Sequence, residues 1–478
     1  MKRLIVILGA FSMMLLAGCT VGPKYTRPNV PNAPVDAFKE TDGWKPAQPS
    51  DQFLRGNWWE MFGDPELNTL ETQLTVSNQD LKMANARFVE ARAMVHFNRA
   101  AQFPTISTAP GIESLRDSGN APYLPATKTT EDFVLPFDVS YELDVWGRVR
   151  RTVSASREEA QATAGDLATV NLSLHAELAY DYFELRSADA QKKLLDDTAK
   201  TYHDALQLTV NRFEGGAAPK SDVAQAQTQL QATMVQDTDI AVQRAQFEHA
   251  IAILIGKPPA AFSLSASPLN LAPPDISAGL PSQLLERRPD IAAAERRVAE
   301  ANDQIGIARA AYYPTVTLSA SAGFEGDSIT NWLTWPSRFW AVGPSMAQTL
   351  FDGGRRRATS TAARANYDAT VANYRESTLT AFQQVEDNLV ALRVLSQEAQ
   401  QQKEATVSAQ ESLQIFTDRY IGGADPYLQV LTAQTIALQN ERNDVDILRR
   451  RMDASVLLIK ALGGGWTASE LPKTAELR

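Results

Sequence analysis

The sequence predicts an α+β membrane protein built as an internal tandem repeat, with two β-hairpins per chain joined to helices much longer than a compact domain uses. Three observations carry this reading. RFEGGAAPKSDVAQAQT starts at Arg212 and RYIGGADPYLQVLTAQT at Arg419, an offset of 419 − 212 = 207 residues. The same offset relates Leu143 to Leu350, Gly147 to Gly354, Arg148 to Arg355 and Gly256 to Gly463, which marks a duplicated structural unit. Period-two alternation near 133–145 and 315–324 marks strands, and runs almost free of breakers over 148–213 and 355–420 mark long helices.

The amino terminus reads as a lipoprotein signal. Lys2 and Arg3 precede an apolar run over 4–16, and Ala17-Gly18-Cys19 closes it with small residues. That run is short for a membrane span, so 1–18 is expected to be removed as a signal peptide, leaving Cys19 as an acylated new terminus. Cys19 is the only cysteine, which excludes disulfides and thiolate chemistry elsewhere. Thr20 after the cysteine fits sorting to the outer membrane. The segment 19–56, with Pro23, Pro28, Pro31 and Pro34, reads as an extended arm. The formal charge of −10 becomes −12 without Lys2 and Arg3, which argues against nucleic acid as a partner.

The first unit, 57–259, is expected to hold a helical stretch over 66–99, a hairpin over about 103–146 and a long helix over about 148–213. A linker over 260–279 leads to the second unit, 280–465, with a helical stretch over 289–311, a hairpin over about 313–351 and a long helix over about 355–420. After each Gly-Gly the helical character resumes, and 466–478 forms a tail. Phe133, Leu135, Phe137, Val139, Tyr141 and Leu143 alternate with Asp138, Ser140, Glu142 and Asp144 in the first strand region. Val316, Leu318, Ala320, Ala322 and Phe324 alternate with Thr317, Ser319 and Ser321 in the second. Strands crossing a bilayer alternate in this way, although a soluble sheet with one wet face does too. Asp138, Glu142 and Asp144 are expected to line the lumen and favour cations, the alternative being plain hydration of a wet wall. Two hairpins supply four strands, whereas the smallest single-chain barrels use about eight and an open edge cannot remain in hydrocarbon. Several copies must therefore pool their strands.

The run over 148–213 would form roughly 100 Å of helix. Leu167, Val170, Leu174, Leu178 and Leu185 recur as in a coiled-coil seam, so an extended coiled-coil tail is the competing account of the helices alone. Gly215-Gly216 with Pro219, and Gly422-Gly423 with Pro426, end the two long helices, reverse the chain and form its far tip. Past the second turn Leu428 and Thr432 lie four residues apart on one helix face. His96, His175, His203 and His249 lack metal-type spacing, and no Gly-x-Ser-x-Gly elbow is present. Neither an enzyme nor a cofactor is expected beyond the covalent lipid on Cys19.

Leu284-Leu285-Glu286-Arg287-Arg288-Pro289-Asp290-Ile291, Ala310-Ala311-Tyr312-Tyr313-Pro314 and Tyr141-Glu142-Leu143-Asp144-Val145-Trp146-Gly147-Arg148 resemble the TolC-type outer-membrane factors, in their NodT-like lipoprotein branch. Phe351-Asp352-Gly353-Gly354-Arg355, Val21-Gly22-Pro23-Lys24-Tyr25 and Trp58-Trp59-Glu60-Met61-Phe62-Gly63-Asp64-Pro65 extend the resemblance over nearly all of the mature chain. It implies a homotrimer whose twelve strands form one barrel in outer-membrane lipid, continued by a helical barrel through the periplasm. It also implies an exit duct of a tripartite efflux pump, passive and gated at its tip, docked at the Gly-Gly turns by a periplasmic adaptor and served by a proton-driven inner-membrane transporter. Leu428 and Thr432 match the positions that narrow such pores, but Thr432 stands where many members carry an acid, so a carboxylate ring is not expected. Asp222, and Arg419 with Tyr420, are the candidates for a polar latch across helices. The other readings are a protein-secretion duct and a lipid-anchored coiled-coil protein without a pore.

Overall fold

The computed structural model describes residues 20–30, 38–40, 56–116, 118–120, 129–274, 276 and 284–477; the signal segment and Cys19 lie outside them. After a turn of 3-10 helix at Trp58–Phe62, the first unit runs α1 (Pro65–Ser77), α2 (Gln79–Ala100), β1 (Thr105–Ser107), β2 (Gly111–Arg116), β3 (Thr129–Leu143), α3 (Arg148–Glu214) and α4 (Lys220–Leu254). The second runs α5 (Pro289–Ala310), β4 (Thr315–Gly326), β5 (Arg338–Ala347), α6 (Arg355–Ile421) and α7 (Tyr427–Ala461). Equivalent helices match in length: α3 and α6 have 67 residues each, and α4 and α7 have 35. At about 1.5 Å per residue, α3 and α6 each extend roughly 100 Å.

The helical stretch expected over 66–99 is two helices, and the break has a physical cause. Asp64 caps α1 by accepting from the Glu66 and Leu67 amides at 2.8 and 3.2 Å. Asn78 then leaves the helix in an extended conformation and restarts the chain as α2, its side-chain oxygen accepting from the Leu81 amide at 2.9 Å. Its side-chain nitrogen donates to the Leu254 carbonyl at 2.8 Å, so α2 begins where α4 ends. The second unit repeats the joint: Arg288 Nη1 donates to the Ala461 carbonyl at 3.1 Å, which seats α5 on the end of α7. Each chain thus has two unbroken columns, α3 and α6, and two jointed ones, α4 with α2 and α7 with α5.

The joints lie within the main hydrophobic cluster. Trp58, Trp59, Phe62, Leu67 and Leu74 pack there with Leu178, Phe183, Ile251, Val385, Leu389, Val456 and Leu458, forming a collar around the middle of the long helices. Burying each such side chain contributes about 1.5–3 kcal/mol before entropy is counted. The described parts of the arm, 20–30 and 38–40, lie on the helices between the strand end and the collar. The Val21 amide donates to the Trp146 carbonyl at 3.1 Å, Arg375 Nε donates to the Asn29 carbonyl at 3.2 Å, and the Lys39 amide donates to Glu386 Oε1 at 2.6 Å. No helix among the described residues is long and apolar enough to cross a membrane.

Candidate functional site

The sheet has four strand positions, because β1 and β2 pair in succession along the same side of β3; β3 pairs with β4 and β4 with β5, all antiparallel. Among the described residues, both edges of this sheet are open within one chain. The register gathers the apolar residues onto one face. Ile106 lies opposite Val139, Val139 opposite Ala320, and Ala320 opposite Val342; further along, Phe137, Ala322 and Trp340 line up. Trp340, Val342 and Met346 are 75, 64 and 71 % exposed, a one-sided apolar wall that water does not favour.

On the other face Ser107, Asp138 and Ser321 align, and Glu142 lies opposite Thr317, itself opposite Ser345. The three acids expected along the lumen are placed differently. Asp138 has no ion pair among the described residues. Glu142 accepts from Arg148 Nε at 2.9 Å. Asp144 lies past the end of β3 and caps α3, accepting from the Val149 and Arg150 amides at 2.9 Å each. An anion belongs at that helix end, where unpaired amides and the helix dipole meet it.

At the far end, both long helices close with the same hydrogen-bonded turn. The Ala217 amide donates to the Arg212 carbonyl at 2.7 Å, and the Ala424 amide to the Arg419 carbonyl at 2.9 Å. Gly216 and Gly423 have φ of +73° and +76°, which only glycine adopts without strain, while Gly215 and Gly422 keep negative φ. The expected latch residues are divided. Arg419 folds onto its own turn, its Nε donating to Asp425 Oδ2 at 2.6 Å, so it does not reach across. Its repeat equivalent, Arg212, does: Nη1 donates to the Ile421 carbonyl at 2.8 Å, and the guanidinium lies 4.8 Å from the centre of the Tyr420 ring. The position equivalent to Asp425 is Ala218, so the acid that holds Arg419 has no counterpart beside Arg212. Burial first, and the Asp222 carboxylate second, push the Tyr420 phenol up. The offset of 207 pointed to Arg212 all along; the missing acid at Ala218 was the unused signal. Leu428 is 53 % exposed within one chain, and the neighbouring Tyr427 and Val430 are buried, so Leu428 and Thr432 face away from the chain's own packing.

In the collar, Glu71 Oε2 and His175 Nδ1 lie 2.5 Å apart, both buried, with the Trp59 ring stacked 4.3 Å from the imidazole. Burial pushes Glu71 up to about 9 and His175 down to about 4, so the pair is neutral between those values. The folded state therefore holds a proton on Glu71 that the unfolded chain releases above its ordinary value, and stability falls as pH rises toward 9. His175 opposes this below about 6.5, where the unfolded imidazole gains a proton that the folded one refuses. The loss should consequently appear between about 6.5 and 9, at up to about 1.4 kcal/mol per pH unit. Melting curves of wild type and Glu71→Gln across this range check it: the variant should flatten the slope, and equal slopes would refute the assignment.

No group of His, Cys, Asp and Glu able to hold a metal occurs among the described residues. The described residues thus set a sheet with one apolar, exposed face on helices of roughly 100 Å. The chain matches the family described as Outer membrane efflux protein over residues 70–257 and 280–464, and it belongs to that family. It is 32 % identical over 469 residues to the toluene efflux pump outer membrane protein TtgF of Pseudomonas putida, covering 96 % of this chain and 97 % of that one. The pyoverdine export outer membrane protein OpmQ of Pseudomonas aeruginosa is 32 % identical over 420 residues, covering 86 % of this chain and 87 % of that one. Among solved structures, the outer-membrane channel OprN superposes with a TM-score of 0.87 at 30 % identity, covering 94 % of this chain and all of that one. The outer membrane channel MtrE of Neisseria gonorrhoeae, in an open state, superposes with a TM-score of 0.83 at 26 % identity, covering 94 % of this chain and 99 % of that one.

Proposed function

We propose that this chain is the outer-membrane exit duct of a tripartite efflux pump, a homotrimer that pools four strand positions per chain into one twelve-stranded barrel. The observation that supports it best is the sheet: one face apolar and exposed, the other polar, both edges open. Open edges are not tolerated in hydrocarbon, and neighbouring copies would close them. A coiled-coil anchor without a pore leaves that sheet without a role, and the relatives named for efflux favour export of small molecules over protein secretion. Their printed substrates, toluene and pyoverdine, differ too much to assign one here.

The anchor fits the same geometry. Val21, two residues after Cys19 in the chain, is held against Trp146 at the end of the sheet. Mass spectrometry of the mature protein should find lipid on Cys19, and an unmodified thiol would remove the anchor from this account. The tip turns at Gly215, Gly216, Gly422 and Gly423 face the periplasm in this reading and receive the adaptor, which links the duct to an inner-membrane, proton-driven transporter. Asp138 and Glu142, both on the polar face, are the lumen acids in this reading, and Asp144 caps α3 just past the strand.

The gate is an apolar ring of three Leu428 side chains with Thr432 behind it, which impedes ions by dewetting. Planar-bilayer recording of Leu428→Ala tests this reading. The isolated trimer should conduct several times more than wild type; unchanged conductance would take the gate away from Leu428.

A further inference from the structure

We infer that Arg338 and Trp335 form a binding site for the phosphate of an anionic lipid at the outer rim of the barrel. The inference rests on the barrel reading above, in which the apolar face of the sheet meets lipid.

Arg338 is the first residue of β5 and lies opposite Phe324, which lies opposite Leu135; it therefore belongs to the apolar face. Below it on that face come Trp340, Val342 and Met346. Eight residues separate Arg338 from Met346, roughly 27 Å along the strand, or about 20 Å across a bilayer at the usual tilt. Its position is the end of the apolar wall farthest from the helices, where headgroups of the outer leaflet lie.

A cation there needs a reason. Arg338 makes no ion pair among the described residues, whereas Arg151, Arg186, Arg244, Arg296 and Arg449 of the helical body do. Five acids border the same hollow as Arg338, and none forms an ion pair with it: Glu113, Asp132 and Glu325 lie on the polar face, Asp327 accepts from Asn331 Nδ2 at 2.8 Å, and Glu131 lies on the apolar face four residues before Leu135. What holds the guanidinium is the Trp335 ring, with Cζ 3.6 Å from its centroid. Trp335 is 73 % exposed, and its loop is braced from within: Thr334 Oγ1 and Ser337 Oγ both donate to the Asn331 carbonyl at 2.7 Å. The Trp332 ring packs 5.8 Å from that of Phe133 and anchors the loop to the strand below. A guanidinium stacked on a fixed ring keeps its N–H edge open, and that planar fork matches the oxygens of a phosphate.

The probe is lipid A carrying both phosphates, offered to the purified trimer in nanodiscs alongside the same lipid with its phosphates removed, with binding read by native mass spectrometry. Wild type should prefer the phosphorylated lipid by about tenfold, the effect of one charged hydrogen-bonded contact. Arg338→Ala and Trp335→Ala should each lose most of that preference, and Arg338→Lys should retain part of it. An equal preference in Arg338→Ala, or none in wild type, overturns the site. Inorganic phosphate displacing the lipid at equal concentration would make it a free-anion site and overturn the lipid assignment. The barrel reading is checked separately: Trp340→Cys should resist a water-soluble maleimide in vesicles. Labelling there would refute the barrel orientation, whereas lipid binding by Arg338 reports on the site alone.

Discussion

A chain carrying Gly463→Val is expected not to accumulate as an assembled channel. Gly463 has φ of +94°, and a Cβ on it would lie 2.0 Å from the Arg287 carbonyl oxygen and 2.8 Å from its carbon. Both atoms are backbone, so nothing yields by rotating a side chain. Valine there adds backbone strain of about 1–3 kcal/mol, and relieving the clash would open the joint between α7 and α5. That movement strips Arg288 of its bonds to the Ala461 carbonyl at 3.1 Å and to Gln384 Oε1 at 2.8 Å, leaving a largely buried cation short of partners. The sum exceeds about 4 kcal/mol, the tail of single-substitution effects. Gly343→Ala is the control, since a Cβ there meets nothing within 4 Å. Heat-resistant oligomer in membrane fractions is the readout. Wild-type amounts from Gly463→Val would mean that the joint tolerates separation.

The second large effect is expected at the tip, and it ranks two arginines that the repeat makes equivalent. Arg212 bonds the Ile421 carbonyl and stacks on Tyr420, joining the two turns of the chain. A charged hydrogen bond contributes about 1.5–3 kcal/mol and a cation–π contact about 0.5–2 kcal/mol. Arg419 pairs with Asp425 inside its own turn, and its side chain is 56 % exposed, so solvent screens that pair and it contributes little. Arg212→Ala should therefore raise conductance of the isolated trimer and sensitise cells to large antibiotics well beyond Arg419→Ala. The reverse order would restore Arg419 as the latch.

These contrasts show how far the sequence can be read. The duplication was legible because landmark residues recur at one offset, and the strands because Phe137 to Leu143 alternate strictly. Helix breaks were harder. Nothing in the apolar pattern separates α1 from α2; the break depends on Asn78 meeting Leu254, a contact 176 residues away in the chain. The Glu71–His175 pair escaped for the same reason, since the two residues come together only when α1 packs on α3. Asp144 was assigned to the lumen by parity, yet the strand ends at Leu143 and parity stops with it. At the tip, the sequence offered Arg419 beside Tyr420, and distance in space chose Arg212.

The alternation of jointed and unbroken columns gives the helical body an uneven mechanical character. α3 and α6 run as single rods past the collar, and hydrogen bonds inside each helix resist bending there. The other two columns are spliced at Asn78 and Arg288, where only a few side-chain bonds and a glycine turn cross from one helix to the next. Bending or twisting is cheapest at such splices. Because both lie within the collar, a load applied at the tip meets its hinge line there, and the sheet above is shielded from the torque.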